Sequence, residues 1–273
     1  MSKIDLSDAT FIVPIRIESD DRLRNIVTTL CYLISNFNTN VIVKEVDNQS
    51  VFEEYVLPQI KEFCVDISCL THIFEKSEDF SFHRQKVLNE MIMMSKTKVI
   101  VNYDCDVLFL PQVYQMAYES ILKGESEVVY PYGDGDNWQK QVFADDELVS
   151  DFLNKNFDFR VLESKSKTRE AKYGFCQFFN RDVYIEGGME NENFIAYAPE
   201  DVERYHRFTF LGYKVNRIDA HVYHLEHKRT PNSWFNNPHM NSNNDEWMKI
   251  TKMDKEELKE YIINQDYYKK YVN

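Results

Sequence analysis

Glycine and proline are scarce in this chain, with seven residues of each among 273. That excludes a collagen-like repeat and a low-complexity linker protein. Cysteine is also sparse. Cys31, Cys64, Cys69, Cys105 and Cys176 are odd in number and form no Cys-x-x-Cys pair. A disulfide framework is therefore not expected, and a reducing compartment fits better. Basic charge is in deficit, with 32 Lys and Arg against 45 Asp and Glu and a net charge of -13. A protein that grips a phosphate backbone carries a basic face, so nucleic acid is not expected as a partner. An acidic protein can still hold a phosphorylated ligand through a divalent cation. No apolar run approaches the ~18 residues of a membrane span. Residues 1–8 lack the apolar core of a signal peptide. These absences predict a soluble cytoplasmic protein with at most peripheral contact at the inner face of a membrane.

The remaining composition is that of a globular chain, 43% hydrophobic and 14% aromatic. This length is enough for one large domain or two small ones. Thr10-Phe-Ile-Val-Pro-Ile15 reads as a buried strand. Ser19 offers an N-cap to a helix whose stripe is Leu23, Ile26, Val27, Leu30 and Ile34. Strands are predicted at Asn40–Val46, Val65–Ile73 and Lys98–Tyr103, with helices at Phe52–Phe63 and around Val87–Ile92. This alternation defines an α/β fold: a mostly parallel sheet flanked by helices, with ligands at the carboxyl ends of the strands. Residues 145–172 are polar and charged, and Asn232–Asn244 is an asparagine-rich loop. A final helix is expected from Asp254, which forms a capping-box spacing with Glu257 and buries Leu258, Tyr261 and Ile262. Residues 1–230 are read as the main domain and 231–273 as a loop and helical extension packed on it.

Three constellations carry chemistry. Asp104-Cys105-Asp106 directly follows the strand Val99-Ile-Val101. Carboxylates at i and i+2 at a strand end point to one side, here the ligand edge, and suit Mg²⁺ or Mn²⁺. The same pattern fits a solvated turn. Asp134-Gly135-Asp136 also matches, but its glycines favour a turn. His221, His224 and His227 lie three residues apart, a spacing that suits neither a strand nor a helix as a three-histidine site. One histidine joining Asp106 on a cation is the better functional reading; surface and core histidines are the other. Glu200-Asp201 follows Pro199 at a helix start, where the dipole favours carboxylates. An acid there can also accept a proton from a hydroxyl.

Taken in order, these pieces resemble GT-A fold glycosyltransferases, in the branch of β-1,4-galactosyltransferases and bacterial chondroitin polymerases. The resemblance begins at Ile12-Val-Pro-Ile-Arg16 and runs through His83-Arg84 and Leu88-Asn89 to Asp104-Cys-Asp106. Gly187-Gly188, Asn191-Glu192-Asn193-Phe194, Glu200-Asp201, Arg204, Gly212 and Val222-Tyr-His-Leu-Glu-His227 follow. It implies a GT-A fold and an inverting hexosyltransferase of bacterial polysaccharide biosynthesis. The donor would be a UDP-sugar, of galactose or N-acetylgalactosamine type. The acceptor would be a glycan or lipid-linked saccharide.

Carried over, Pro14, Arg16, Glu18, Glu45, Asp47, Arg84, Asn89 and Asp104 would face the nucleotide. Asp106, more than Asp104, would bind Mn²⁺ or Mg²⁺ with His224 as partner, and His227 as the other choice. Asp201 would be the general base. Gly174, Gly187, Gly188, Tyr197 and Glu200 would contact donor sugar or acceptor. The family's Gly-Trp-Gly before the acidic pair is here Ala196-Tyr197-Ala198, so two glycines have gained a methyl group. Two other readings compete. A nucleotidyltransferase acting on a sugar phosphate would also use paired carboxylates, but the first strand lacks its glycine-rich loop. A degenerate carbohydrate-binding protein is suggested by the altered Ala-Tyr-Ala segment.

Overall fold

The computed structural model describes residues 2–197, 199–234 and 236–272. In chain order the strands and helices begin with β1 (Ile4–Ile15), α1 (Asp20–Asn36), β2 (Phe37–Asp47), α2 (Leu57–Phe63) and β3 (Leu70–Lys76). They continue with α3 (Arg84–Met94), β4 (Val99–Tyr103), β5 (Val107–Leu108), α4 (Pro111–Leu122), β6 (Val128–Tyr130) and β7 (Gln139–Val142). Next come α5 (Asp146–Asn154), α6 (Phe159–Glu163), β8 (Ser166–Arg169), β9 (Cys176–Asn180), α7 (Arg181–Glu186) and α8 (Glu200–Leu211). The last are β10 (Val215–Arg217), β11 (Val222–Leu225), α9 (Met240–Ile250), α10 (Lys255–Asn264) and α11 (Asp266–Val272).

The main sheet has seven strands in the order β10-β6-β9-β4-β1-β2-β3. All its pairings are parallel except those of β9, which runs antiparallel to both β4 and β6. This is the mostly parallel α/β sheet expected from the alternating pattern, with helices on its faces. The apolar run of β1 explains its central place: Phe11, Ile12 and Val13 are fully buried, as a strand covered on both faces requires. Pro14 is tolerated because β4 pairs with β1 only as far as Ile12, while β2 continues alongside to Ile15. A second sheet, β5-β11-β7-β8, closes one side of the strand ends.

Local chemistry shifts three predicted boundaries. The strand expected from Val65 begins only at Leu70. Ser68 N–H donates to the Asp66 side chain at 2.9 Å, so the preceding residues form an Asx turn instead. The helix expected over Phe52–Phe63 opens as a π-helical turn, Phe52–Val56, before α2. Its first N–H groups, of Val51 and Phe52, donate to Glu45 at 2.9 and 3.0 Å. The asparagine-rich stretch is only partly loop, because α9 starts at Met240. Asn243 there exchanges hydrogen bonds with the backbone of Ile195. Phe235 lies outside the described residues.

The C-terminal helices are present as expected. Leu258, Tyr261 and Ile262 of α10 form a small apolar cluster with Phe194 and Ile250. Among the described residues no helix is long and apolar enough to cross a membrane. Asp254 caps α10 by accepting from the N–H groups of Glu256 and Glu257, and Glu257 returns a bond to Asp254 N–H at 2.8 Å. Asp254→Ala should therefore cost about 1 kcal/mol of stability, read as a lower urea midpoint with an unchanged slope.

Candidate active site

A cavity of about 690 Å³ opens where β1 and β4 end, walled on the far side by β7, β8 and β11. Asp106 and His224 meet there because of strand pairing. The two-residue strand β5 pairs antiparallel with β11, placing Val107 opposite His224, and Leu225 N–H donates to the Asp106 carbonyl at 2.8 Å. His227 arrives by a different route. β11 ends at Leu225, so strand alternation no longer governs the next residues, and the imidazole turns back to the same carboxylate. His224 Nε2 lies 3.8 Å from Asp106 Oδ1, and His227 Nε2 lies 3.1 Å from Asp106 Oδ2. His221 is not in this group. Among the described residues, Asp106, His224 and His227 are the one cluster whose ligand atoms could hold a metal ion, all within 4.8 Å of one another.

The hydrogen bonding around the cluster fits a cation. His227 Nδ1 faces the Lys228 carbonyl at 2.9 Å, an acceptor only, so Nδ1 carries the proton. Nε2 faces the Asp106 carboxylate, a contact that either a proton on Nε2 or a shared cation completes. His224 is oriented from behind: its Nδ1 lies 3.2 Å from Glu226 Oε1, with Gln139 against the same nitrogen at 2.9 Å. A carboxylate behind a ligating histidine is the usual outer support of a metal site. Burial pulls the His224 pKa down, but Asp106 and Glu226 outweigh it and push it up to about 9. Burial raises Asp106, yet the two imidazoles hold it well below the usual carboxylate range.

The two carboxylates of the Asp-x-Asp motif therefore take different partners. Asp104 pairs with Arg84 Nη2 at 2.5 Å, and Arg84 also reaches Asn102. Asp104 is close to the cation cluster but outside it.

Glu200 and Asp201 begin α8. Asp201 Oδ1 accepts from Arg204 Nη1 at 2.8 Å. Arg204 is itself 1% exposed and doubly bonded to Glu190 at 2.7 Å, and Glu190 accepts from the Tyr184 hydroxyl. The other Asp201 oxygen lies over Gly174, where a methyl group would come within 2.7 Å of it. Gly174 thus leaves room for the carboxylate, whose side chain stays one-third exposed to the cleft. Glu200 is buried, and among the described residues its Oε2 has no hydrogen-bond partner. Burial, reinforced by the neighbouring Asp201 charge, pushes its pKa well above the usual carboxylate range.

Pro14, Arg16, Glu18 and Tyr197 also line the cleft. Arg16 is held by the carbonyls of Val46, Asp79 and Phe80 and lies over the Phe82 ring. Glu18 accepts from Thr230 and Asn232. Tyr197 and Trp234 stand as tilted plates with ring centres 6.3 Å apart. Ala196 keeps a left-handed φ of +57°, a conformation that glycine adopts without strain. Ala198 lies outside the described residues.

Other residues assigned from sequence sit elsewhere. Glu45 is fully buried and spends its carboxylate on Ser50, Val51, Phe52 and His72. Asp47 ends β2 and accepts from Asn48 N–H at 2.8 Å, away from the cavity lining. Asn89 is buried and bonds both backbone groups of Glu190. Gly187 and Gly188 serve packing. A methyl group at 187 would strike the Phe208 ring at 2.4 Å, and Gly188 has φ +98°. Sequence reasoning missed Arg22, Phe82, Gln139, Gln141 and Glu226, all on the cleft wall. Glu226 lay inside the histidine segment and could have been read as its support. Gln139 and Gln141 become legible only once β7 is known to pair with β11.

No known family model and no curated protein sequence matches the chain. Among solved structures it is similar to a mannosyltransferase, PcManGT from Pyrobaculum calidifontis, in complex with GDP-Man and Mn²⁺. The identity is 18% and the TM-score 0.47, over 81% of this chain. The chain spans 58% of that protein's length.

The Glu200 environment has a measurable consequence. A carboxyl whose folded pKa lies above its unfolded value of 4.5 keeps a proton that the unfolded chain releases, so stability falls as pH rises past that value. Glu200→Gln removes this slope. The variant should gain stability relative to the parent between pH 4.5 and pH 7, as urea unfolding at both pH values would show; a constant difference would contradict it.

Proposed function

We propose that the chain is an inverting, metal-dependent glycosyltransferase of the GT-A type. It moves a sugar of galactose or N-acetylgalactosamine type from a UDP-sugar to a hydroxyl of a glycan or lipid-linked saccharide. The observation that carries the reading is the meeting, in one cleft, of the Asp106–His224–His227 cluster with the acidic pair Glu200–Asp201.

A divalent cation held by Asp106, His224 and His227 would supply Lewis-acid neutralisation of the departing diphosphate. Asp201 has the form of a general base. Arg204 fixes one oxygen, and the other is left for the proton of the acceptor hydroxyl. That hydroxyl oxygen forms a bond to the anomeric carbon as the bond to the diphosphate oxygen breaks, which inverts the centre. Glu200, whose protonated form burial favours, would donate a hydrogen bond to a sugar hydroxyl. Pro14, Arg16, Glu18, Arg84 and Asp104 form the nucleotide side, with Phe82 as an aromatic wall. Tyr197 and Trp234 offer flat faces to a sugar ring.

Two variants separate these roles. Asp106→Asn should abolish Mn²⁺-dependent UDP binding in calorimetry and turnover with it. Asp201→Asn should bind UDP normally and lose transfer by about 10²- to 10⁴-fold; normal transfer would remove Asp201 from the role of base. The donor is tested by UDP release and thermal shift over a panel of UDP-sugars with Mn²⁺. Release from GDP-mannose and from no UDP-sugar would overturn the donor assignment.

A further inference from the structure

We propose that Arg22 is the arginine that grips the donor's diphosphate, an inference that rests on the nucleotide-sugar reading above. Five guanidinium groups line the cleft: Arg16, Arg22, Arg84, Arg169 and Arg229. Four have evident commitments or lie in the open. Arg16 is consumed by three carbonyls. Arg84 belongs to Asp104. Arg229 lies 3.5 Å from Glu226 and over the Trp234 ring. Arg169 is on an exposed stretch of β8. Arg22 is different. Among the described residues its guanidinium makes no hydrogen bond or ion pair, and its Nε is shielded from solvent without an acceptor.

Shielded N–H groups are almost always satisfied in folded proteins. An acceptor from outside the chain would satisfy it, since four carboxylates of the same cleft already have partners. Asp104 is held by Arg84, Asp106 by two imidazoles, Glu226 by His224 and Asp201 by Arg204. An unpaired cation of this kind calls for an anion rather than a neutral group. A planar fork with several N–H donors matches two phosphate oxygens at once.

Position supports the same ligand. Arg22 lies in the first turn of α1, next to Asp21, whose carboxylate accepts from Lys228 N–H, the residue after His227. The turn that carries Arg22 is thereby tied to the turn that carries a cluster histidine. Arg22 also lines the same cleft as Asp104, Cys105 and Asp106. Arg22 would therefore meet the diphosphate as a second positive group beside the cation cluster, binding the donor and stabilising the leaving group.

The test is calorimetry of Arg22→Ala and Arg22→Lys with UDP, GDP and inorganic pyrophosphate in Mn²⁺, and of uridine by competition. Melting temperatures would confirm that both variants fold. Arg22→Ala should weaken the preferred nucleoside diphosphate and pyrophosphate by roughly ten- to a hundredfold. Uridine affinity should stay within twofold. Arg22→Lys should recover only part of the loss, since it restores the charge but not the fork. An Arg22→Ala protein that binds diphosphates like the parent overturns the assignment while leaving the transferase reading intact. A parent that binds pyrophosphate but neither nucleotide overturns the donor reading, and Arg22→Ala then decides the Arg22 role on pyrophosphate alone. A parent that binds none of the three overturns both.

Discussion

The cleft depends on one buried negative charge. Asp106 is nearly inaccessible to water, and a carboxylate in that position needs compensating charge or donors close at hand. Both come from a single segment, since His224 and His227 lie three residues apart. The second sheet exists around this demand: β5 is only two residues long, yet it fixes the register between Asp106 and His224. Helix α1 secures the other side. Asn25 donates to the Leu225 carbonyl at 2.7 Å, and Asp21 holds Lys228. The exit of β11 is thus clamped at the point where His227 must turn.

The acidic pair is held by a different device. α8 carries two buried arginines one turn apart. Arg204 joins Asp201 to Glu190, while Arg207 joins Glu203 to the carbonyls of Gly187 and Met189. Such buried pairs add little net stability against an apolar alternative, but losing one partner is costly. Their effect is to set the rotation and depth of the helix. Gly187 allows Phe208 to close against the preceding turn, so the helix that bears Asp201 is locked along its length.

Much of this was legible in the sequence. The period of Leu23 to Ile34, the apolar runs of β1 and β4, and the capping box at Asp254 depend on neighbours close in the chain, and each formed as read. The Asp-x-Asp motif and the acidic pair are likewise contiguous in the chain, and all four carboxylates line the cleft. What escaped was set by partners far away. Glu45 looked like a ligand-facing acid, but the N–H groups that start the next helical turn claim it. His224 and His227 looked mutually exclusive under strand alternation, because the end of β11 is decided by pairing with β5 and β7. Gly174 carries no side chain, and only the carboxylate of Asp201 above it shows why the position must stay empty.

The reversed direction of β9 has a consequence for how the site is assembled. In a purely parallel sheet every strand delivers its exit loop to the ligand edge. Because β9 runs the other way, it delivers an entrance instead: Cys176 pairs with Tyr103, and Phe175 accepts from Asp104 N–H at 2.9 Å. Gly174 comes to the cleft by this route. β4 and β6 follow one another in the chain among the strands of the main sheet, yet among the described residues they share no pairing and are joined through β9. Until residues 176–180 are in place, both present open edges. The edge that carries the cleft and the completed sheet therefore rest on the same five residues, because the strand that joins β4 to β6 is also the one that brings Gly174 to the pocket.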